Sequence, residues 1–184
     1  MMDGKKTTIH IGGVFASREP AEVHTVLGSC ISACLFDPSA RIGGMNHFML
    51  PDGNNTDGAP TRFGVHAMEL LINRIMRLGG DRRLLQAKVF GGAQLLGIRG
   101  IPVGTDNARF VREFLETEGI PIVAHRLGGY HPLAVHFFTA TSRALVRPLG
   151  DTRLDTLAKR EQQFRSRFQH KVESKPAEDD ITLF

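Results

Sequence analysis

Two cysteines, Cys30 and Cys34, are all the chain has in 184 residues, so no disulfide framework holds it together. A chain of this length buries enough apolar surface to fold without disulfides or metals. With 41% hydrophobic and 23% charged residues, its composition is that of an ordinary globular domain. Free thiols fit a reducing compartment. Long apolar runs are missing as well: the stretches around Val23 to Leu35 and Leu133 to Ala140 are too short and too interrupted to cross a bilayer. Met1 to Gly13 is polar and contains lysine, without the apolar segment of a secretory signal. A soluble, cytoplasmic protein with no membrane insertion is the expectation.

The formal net charge is +4 and the pI about 9.4. Much of the excess lies at Arg143, Arg147, Arg153, Lys159, Arg160, Arg165, Arg167 and Lys171. These alternate with Asp151, Asp155 and Glu161, and no stacking platform of the kind single-stranded nucleic acid requires accompanies them. A solvated basic helix face is the reading, and nucleic acid is not an expected partner.

What is present is a series of strand and helix signals. Val23 to Leu27 is a short apolar run; Ile31 to Phe36, the turn cluster Asp37 to Ala40, and Gly43 to Leu50 read as a β-hairpin. Pro51 to Pro60 is rich in breakers and reads as a loop. Val65, Met68, Leu71, Ile72, Ile75 and Met76 recur at helical spacing before Gly79-Gly80. Ala87 to Phe90 reads as a buried strand. Thr105 is the expected N-cap of a second helix carrying Phe110, Val111, Phe114 and Leu115 and closed by Gly119. Ile120 to Leu127 and Leu133 to Thr141, flanking Gly128-Gly129, read as another hairpin. Asp151 can cap a third helix with a stripe of Leu154, Leu157, Phe164 and Phe168, interrupted by Glu161. That stripe either packs on the sheet or is offered to a partner. The expected organisation is a domain over 1–149, an amphipathic helix over 150–172 and a mobile tail over 173–184. Strands interspersed with helices make the fold α/β, a mixed or antiparallel sheet with helices packed outside.

A cysteine hydrolase needs a thiolate, a base within hydrogen-bond reach and a group that orients the base. If Asp37 to Ala40 closes a hairpin, Cys30 and His47 stand equally far from the turn on its two arms. Directly opposed residues lie about 5 Å apart between Cα atoms. Gly28-Ser29 ahead of Cys30 suits a tight loop whose backbone N–H groups form an oxyanion hole. An imidazole partner would activate a thiol that is otherwise mostly protonated at neutral pH. Cysteine is among the most buried residue types, and a lone hairpin histidine is commonly structural. Spacing alone therefore leaves both a structural and a catalytic pair open.

Other chemistries fit less well. Zinc held by Cys30, Cys34 and His47 would lack a fourth nearby ligand. Cys34 lies roughly 13 Å along an extended strand from Cys30, beyond disulfide reach, and reads as a buried thiol. Phe90 to Gly97 lacks the Lys-Ser/Thr ending of a phosphate loop, and close backbone packing accounts for its glycines better. Ser29 is in no nucleophile elbow. His125, His131 and His136 are placed on strand faces or in a turn, away from catalysis. No metal or cofactor is expected.

The segment from His24 to Asp37, with Thr25, Gly28-Ser29-Cys30 and Cys34, resembles the thiol-bearing motif of the CheD family of chemoreceptor glutamine deamidases. Gly43-Gly44-Met45-Asn46-His47-Phe48-Met49-Leu50-Pro51 is similar to that family's histidine motif. Arg62-Phe63-Gly64 with Ala67-Met68, and Lys88-Val89-Phe90-Gly91-Gly92-Ala93, resemble two further blocks, in the family's order. The resemblance covers roughly Gly12 to Leu149. It implies hydrolysis of glutamine side-chain amides to glutamate on the cytoplasmic helices of methyl-accepting chemotaxis receptors. Cys30 would be the nucleophile, His47 the general base and Thr25 the residue orienting the histidine. It also implies a single-domain layered sandwich similar to the catalytic domains of glutamine-deamidating toxins, and a CheC-type phosphatase as a further partner. A non-catalytic chemotaxis adaptor of the same fold is the alternative, although an adaptor has no need of the Cys30–His47 pair. The chain departs from the family at Gly104-Thr105-Asp106-Asn107 and at Pro132-Leu133-Ala134, which bears on docking more than on chemistry.

Overall fold

Alternation of apolar and polar residues along Ala21–Leu27 gives a strand with one face buried and the other half-buried. Ile31–Asp37, by contrast, is buried at every position, as a strand covered on both faces must be. The computed structural model, which describes residues 5–50, 59–95, 103–150 and 154–173, places these two strands in different sheets. In chain order the elements are β1 (Lys5–Thr8), β2 (Val14–Ser17), β3 (Ala21–Leu27), β4 (Ile31–Asp37), β5 (Ile42–Asn46), α1 (Ala59–Arg77), β6 (Gln86–Gly91), α2 (Val103–Thr117), β7 (Ile122–Leu127), β8 (Leu133–Phe138), β9 (Arg143–Pro148) and α3 (Leu154–Glu173). Four strands form one sheet in the order β1-β3-β8-β9, and five form the other in the order β2-β5-β4-β6-β7. Each sheet is mixed, with one parallel pair, β1 with β3 and β6 with β7.

The period-two alternation of β4 divides its side chains between two cores. Ile31, Ala33 and Leu35 pack with Leu71, Ile72 and Ile75 of α1 and with Val111 and Leu115 of α2. Cys34 and Phe36, joined by Cys30 just before the strand, face Val23 and Leu27 of β3 and Val135 and Phe137 of β8. The result is three layers: the four-stranded sheet, the five-stranded sheet, and helices α1 and α2. Each fully buried Ile, Leu or Phe contributes about 1.5–3 kcal/mol to this arrangement. The α/β fold expected from the sequence and the layered sandwich that the family resemblance implied are both present, with two mixed sheets in place of one.

Three local expectations are corrected. Gly128-Gly129 does not close a hairpin, because β7 pairs with β6 in one sheet and β8 with β3 and β9 in the other. The glycine pair carries the chain between layers and is tied to the end of β6, with Gly128 N–H donating to Gly91 O at 2.9 Å and Gln94 N–H to Gly129 O at 2.8 Å. Thr105 is not an N-cap, since α2 already runs from Val103; its hydroxyl instead accepts from Gln94 Nε2 at 2.6 Å. The β4–β5 turn spans Pro38 to Arg41, because Asp37 pairs with Ile42. Arg41 takes a left-handed φ of 56° there, while the Asp37 carboxylate accepts the N–H groups of Ser39 and Ala40. Of the remaining expectations, the loop over 51–58, the cap at Asp151 and the tail after Glu173 lie outside the described residues, as does the side chain of Phe168.

Candidate active site

The turn has the expected four residues but lies one residue later, which shifts the hairpin register by two residues from the one that would oppose Cys30 to His47. Cys34 faces Met45, and the isolated pair Ile31–Phe48 continues the same register. Cys30 therefore lies opposite Met49 and His47 opposite Ser32, so the two are one diagonal step apart rather than directly opposed. A two-residue shift preserves the face, and both side chains point between the sheets. Asn46 holds the strands together where the ladder ends. Its Oδ1 accepts Ala33 N–H at 2.9 Å, and its carbonyl accepts the Ser32 hydroxyl at 2.6 Å.

His47 is fixed from both ends. Its backbone exchanges hydrogen bonds with the turn before β2, Gly12 N–H to His47 O at 2.7 Å and His47 N–H to Gly13 O at 3.0 Å. Its ring Nδ1 lies 2.8 Å from Thr25 Oγ1 on β3. The Thr25 hydroxyl has one proton, which it donates to Ile9 O at 2.8 Å. Toward the ring it can only accept, so Nδ1 carries the proton and Nε2 is left with its lone pair. That Nε2 is buried and has no hydrogen-bond partner among the described residues. An orphaned buried acceptor is costly, and here it is the nitrogen a base would use.

Cys30 is fully buried at the end of the loop Gly28-Ser29-Cys30. Gly91-Gly92 cradles this loop, with Gly92 N–H on Cys30 O and Ala93 N–H on Gly28 O, both at 2.8 Å. From the helix layer, Asn107 Nδ2 donates to Ser29 O at 2.8 Å while its Oδ1 accepts Leu50 N–H at 2.8 Å. A carboxylate occupies the concave side of the loop. Glu161 of α3 accepts the N–H groups of Gly28 (3.2 Å), Ser29 (3.1 Å) and Cys30 (3.4 Å), and the Ser29 hydroxyl at 2.5 Å.

Burial sets the protonation states. The Cys30 thiol is pushed well up, first by desolvation and then by the Glu161 carboxylate beside it. His47 is pushed down to about 3, by desolvation and secondarily by His10. Both groups are thus neutral in this state. Cys34 is also free, buried and raised by desolvation. Of the residues expected to act together, Thr25 and His47 are in hydrogen-bond contact, and Cys30 lies one diagonal step from His47 by register, on the same face of the hairpin.

Asn107 and Glu161 were not assigned to the site from sequence. Each carries a signal in hindsight of a physical kind. Asn107 lies on the α2 face that also buries Val103, Val111 and Phe114, and Glu161 interrupts the apolar stripe of α3. A polar residue held on a buried face needs partners. Arg165, counted on sequence as part of a solvated basic face, is buried at 7% exposure, and burial holds its pKa below the ordinary value.

Two measurable consequences follow from these contacts. Replacing Asn107 by Leu leaves Ser29 O and Leu50 N–H without their side-chain partner. At about 1–3 kcal/mol for an unsatisfied buried group, the variant should lose at least that much in urea unfolding, and unchanged stability would exclude the bridge. The second concerns acid. A histidine in the unfolded chain protonates near pH 6.5, whereas folded His47 stays neutral down to about 3. The unfolded state therefore binds the extra proton between those values, and stability falls as pH drops through that window but not above it. His47→Gln should show the shallower dependence of unfolding free energy on pH from 6.5 to 4; parallel curves would refute the buried neutral ring.

The sequence from Met49 to Pro148 matches the family model described as CheD chemotactic sensory transduction. A protein of Xanthomonas axonopodis pv. citri (strain 306) is 48% identical over 161 residues, 87% of this chain and 79% of its own length. One of Stenotrophomonas maltophilia (strain K279a) matches to the same extent. A Thiobacillus denitrificans protein is 46% identical over 166 residues, 88% of this chain and 82% of its own. Each bears the name "Probable chemoreceptor glutamine deamidase CheD". A span of 161 residues in a chain of 184 includes Cys30 and His47 wherever it begins. The chain belongs to the CheD family.

Proposed function

We propose that the protein is a protein-glutamine deamidase, a hydrolase of linear amide bonds that converts glutamines on the cytoplasmic helices of chemotaxis receptors to glutamate. Cys30 acts as nucleophile, His47 as base and Thr25 as the residue that orients it. The carrying observation is the relay Ile9 O–Thr25–His47, which leaves His47 Nε2 unprotonated and unpartnered on the face that bears Cys30. The relatives' names support the substrate class, and a protein acting on those helices would work in the cytoplasm.

The chemistry runs in two halves. His47 Nε2 takes the Cys30 proton as the sulfur attacks the glutamine Cδ, and the N–H groups of the 28–30 loop receive the developing oxyanion. Collapse expels ammonia, which takes the proton from His47, and leaves a thioester. Water, deprotonated by the same nitrogen, attacks the thioester and releases glutamate, and the thiol is restored. One water is consumed and one ammonia released per turnover. The product carries a negative charge that its substrate lacked, enough to alter the packing of a receptor helix. The test is incubation with receptor cytoplasmic fragments, each conversion adding about 1 Da. Fragments that are bound but never gain mass would instead identify an adaptor.

A further inference from the structure

Glu161 is 1% exposed although it belongs to a helix whose flanking residues Arg160, Gln162 and Gln163 face solvent. It lies 131 residues along the chain from Cys30, yet it fills the one position the proposed reaction must keep for its substrate. Its side chain has the carbon skeleton of the reaction product. Its carboxylate is held by the same three N–H groups that would receive the oxyanion. Neighbouring residues seat the helix around it. Leu157, four residues before, rests against Gly28, where an added Cβ would fall 2.7 Å from Glu161 Oε1 and 3.0 Å from Leu157 Cδ2. Phe164, three residues after, packs on the apolar cluster between the sheets. Positions at i−4, i and i+3 share one helix face, so a single face of α3 delivers the carboxylate and both apolar contacts.

We propose that α3 is docked as a product-like helix: Glu161 occupies the seat of the newly formed glutamate, and the surface beneath α3 is where a substrate helix is read. This rests on the deamidase reading above and adds a rule to it. A target glutamine lies on a helix with an apolar residue four positions before it and another three positions after. A substrate helix must displace α3, because Cys30 is fully buried and His47 is 4% exposed while α3 is in place. An open pocket of about 560 Å³ runs along one side of this seam, between Ile9, His24 and Val26 of the sheet layer and Leu157 and Phe164 of α3, and His47 lines it.

The test turns the helix into a substrate. In full-length Glu161→Gln the side chain at position 161 becomes the amide, and Cys30 should attack its Cδ, release ammonia and, after hydrolysis of the thioester, restore glutamate. Trypsin cuts after Arg160 and Arg165, so the peptide spanning positions 161–165 should gain about 1 Da at position 161. Gln162 and Gln163, in the same peptide and exposed, should stay unchanged. The double variant Cys30→Ala/Glu161→Gln should keep its amide. A second variant needs no self-reaction: if the docked form is nine-tenths populated, Glu161→Ala should raise iodoacetamide labelling of Cys30, and kcat/KM on receptor fragments, by about tenfold.

Retention of the amide at position 161, together with labelling unchanged in Glu161→Ala, overturns the proposal even where the wild type deamidates receptor fragments. Conversion at position 161 by a protein inert on every receptor fragment upholds the product-like seat and sinks the receptor as substrate. Failure of both reactions sinks both.

Discussion

Cys30→Ala is expected to abolish deamidation of receptor fragments, with kcat falling by at least about a thousandfold. The sulfur is the atom that forms and breaks the covalent bond, and no neighbouring group can replace it. Cys34 stands on the same face of the hairpin, but it lies four residues further on, inside β4 and packed with Phe36, Met45 and Phe137. The strand residues around it are committed to ladder pairing with β5 and β6, which leaves no loop of N–H groups for an oxyanion. Cys34→Ala should therefore retain turnover and lose only some stability. Removing His47 should cost about as much as removing Cys30, and the double variant Cys30→Ala/His47→Ala little more than either alone, because residues that act as a unit are non-additive. Independent, multiplying losses would show that His47 serves some other purpose, and full activity in Cys30→Ala would end the thiol mechanism.

The hairpin that carries this chemistry was legible because its signals are local. Apolar β-formers on both arms, Asp37-Pro38-Ser39 at the bend and the alternation of Cys30 and Cys34 on one face required no knowledge of the rest of the chain. What failed was the exact bend, because Arg41 sits in a left-handed conformation that nothing about arginine announces. The error was harmless to the site only because a two-residue shift returns each side chain to its own face. The N-cap on α2 was lost in the same way, since propensity sets helix boundaries only within a few residues.

Long-range placement was less readable. Gly128-Gly129 between two apolar runs has the composition of a hairpin turn, and only the pairing of β7 with β6 and of β8 with β3 decides otherwise. The strand β9, rich in arginine and half-exposed, carries little of the alternation that marks a buried strand. Thr25 could be assigned only through family resemblance. It lies 22 residues from His47 and meets it because the two sheets stack, a fact of layering that no local pattern contains. Glu161 is the extreme case. Its interruption of the α3 stripe was visible, but its partners are 131 to 133 residues away.

Gly91→Ala is expected to cost about 3 kcal/mol or more in stability, near the top of what single substitutions do, and to remove activity with it. Gly91 has a φ of 111°, a region that side chains rarely enter. A Cβ there would fall 2.1 Å from Cys30 O, 3.2 Å from Cys30 C and 3.3 Å from Ile31 Cα. All three are backbone atoms, so no rotamer change relieves the clash. Either β6 retreats from β4, losing the Ile31–Gly91 pairing, or the 28–30 loop moves away and loses its bonds to Gly92 and Ala93. The second route displaces Cys30 itself, and a misplacement of about 1 Å is enough to cost a hundredfold in rate. Gly119→Ala is the control: its φ of 67° is also left-handed, but nothing lies within 4 Å of the added methyl, so only the backbone preference of about 1 kcal/mol is lost. Unfolding in urea, with turnover measured at a temperature where both variants are folded, separates strain from displacement. If Gly91→Ala matched Gly119→Ala in both readings, the glycine cradle would have no part in holding the nucleophile. If it folded but failed to turn over, the position of Cys30 would be set by backbone packed on backbone, a constraint that reaches the thiol without any side chain between.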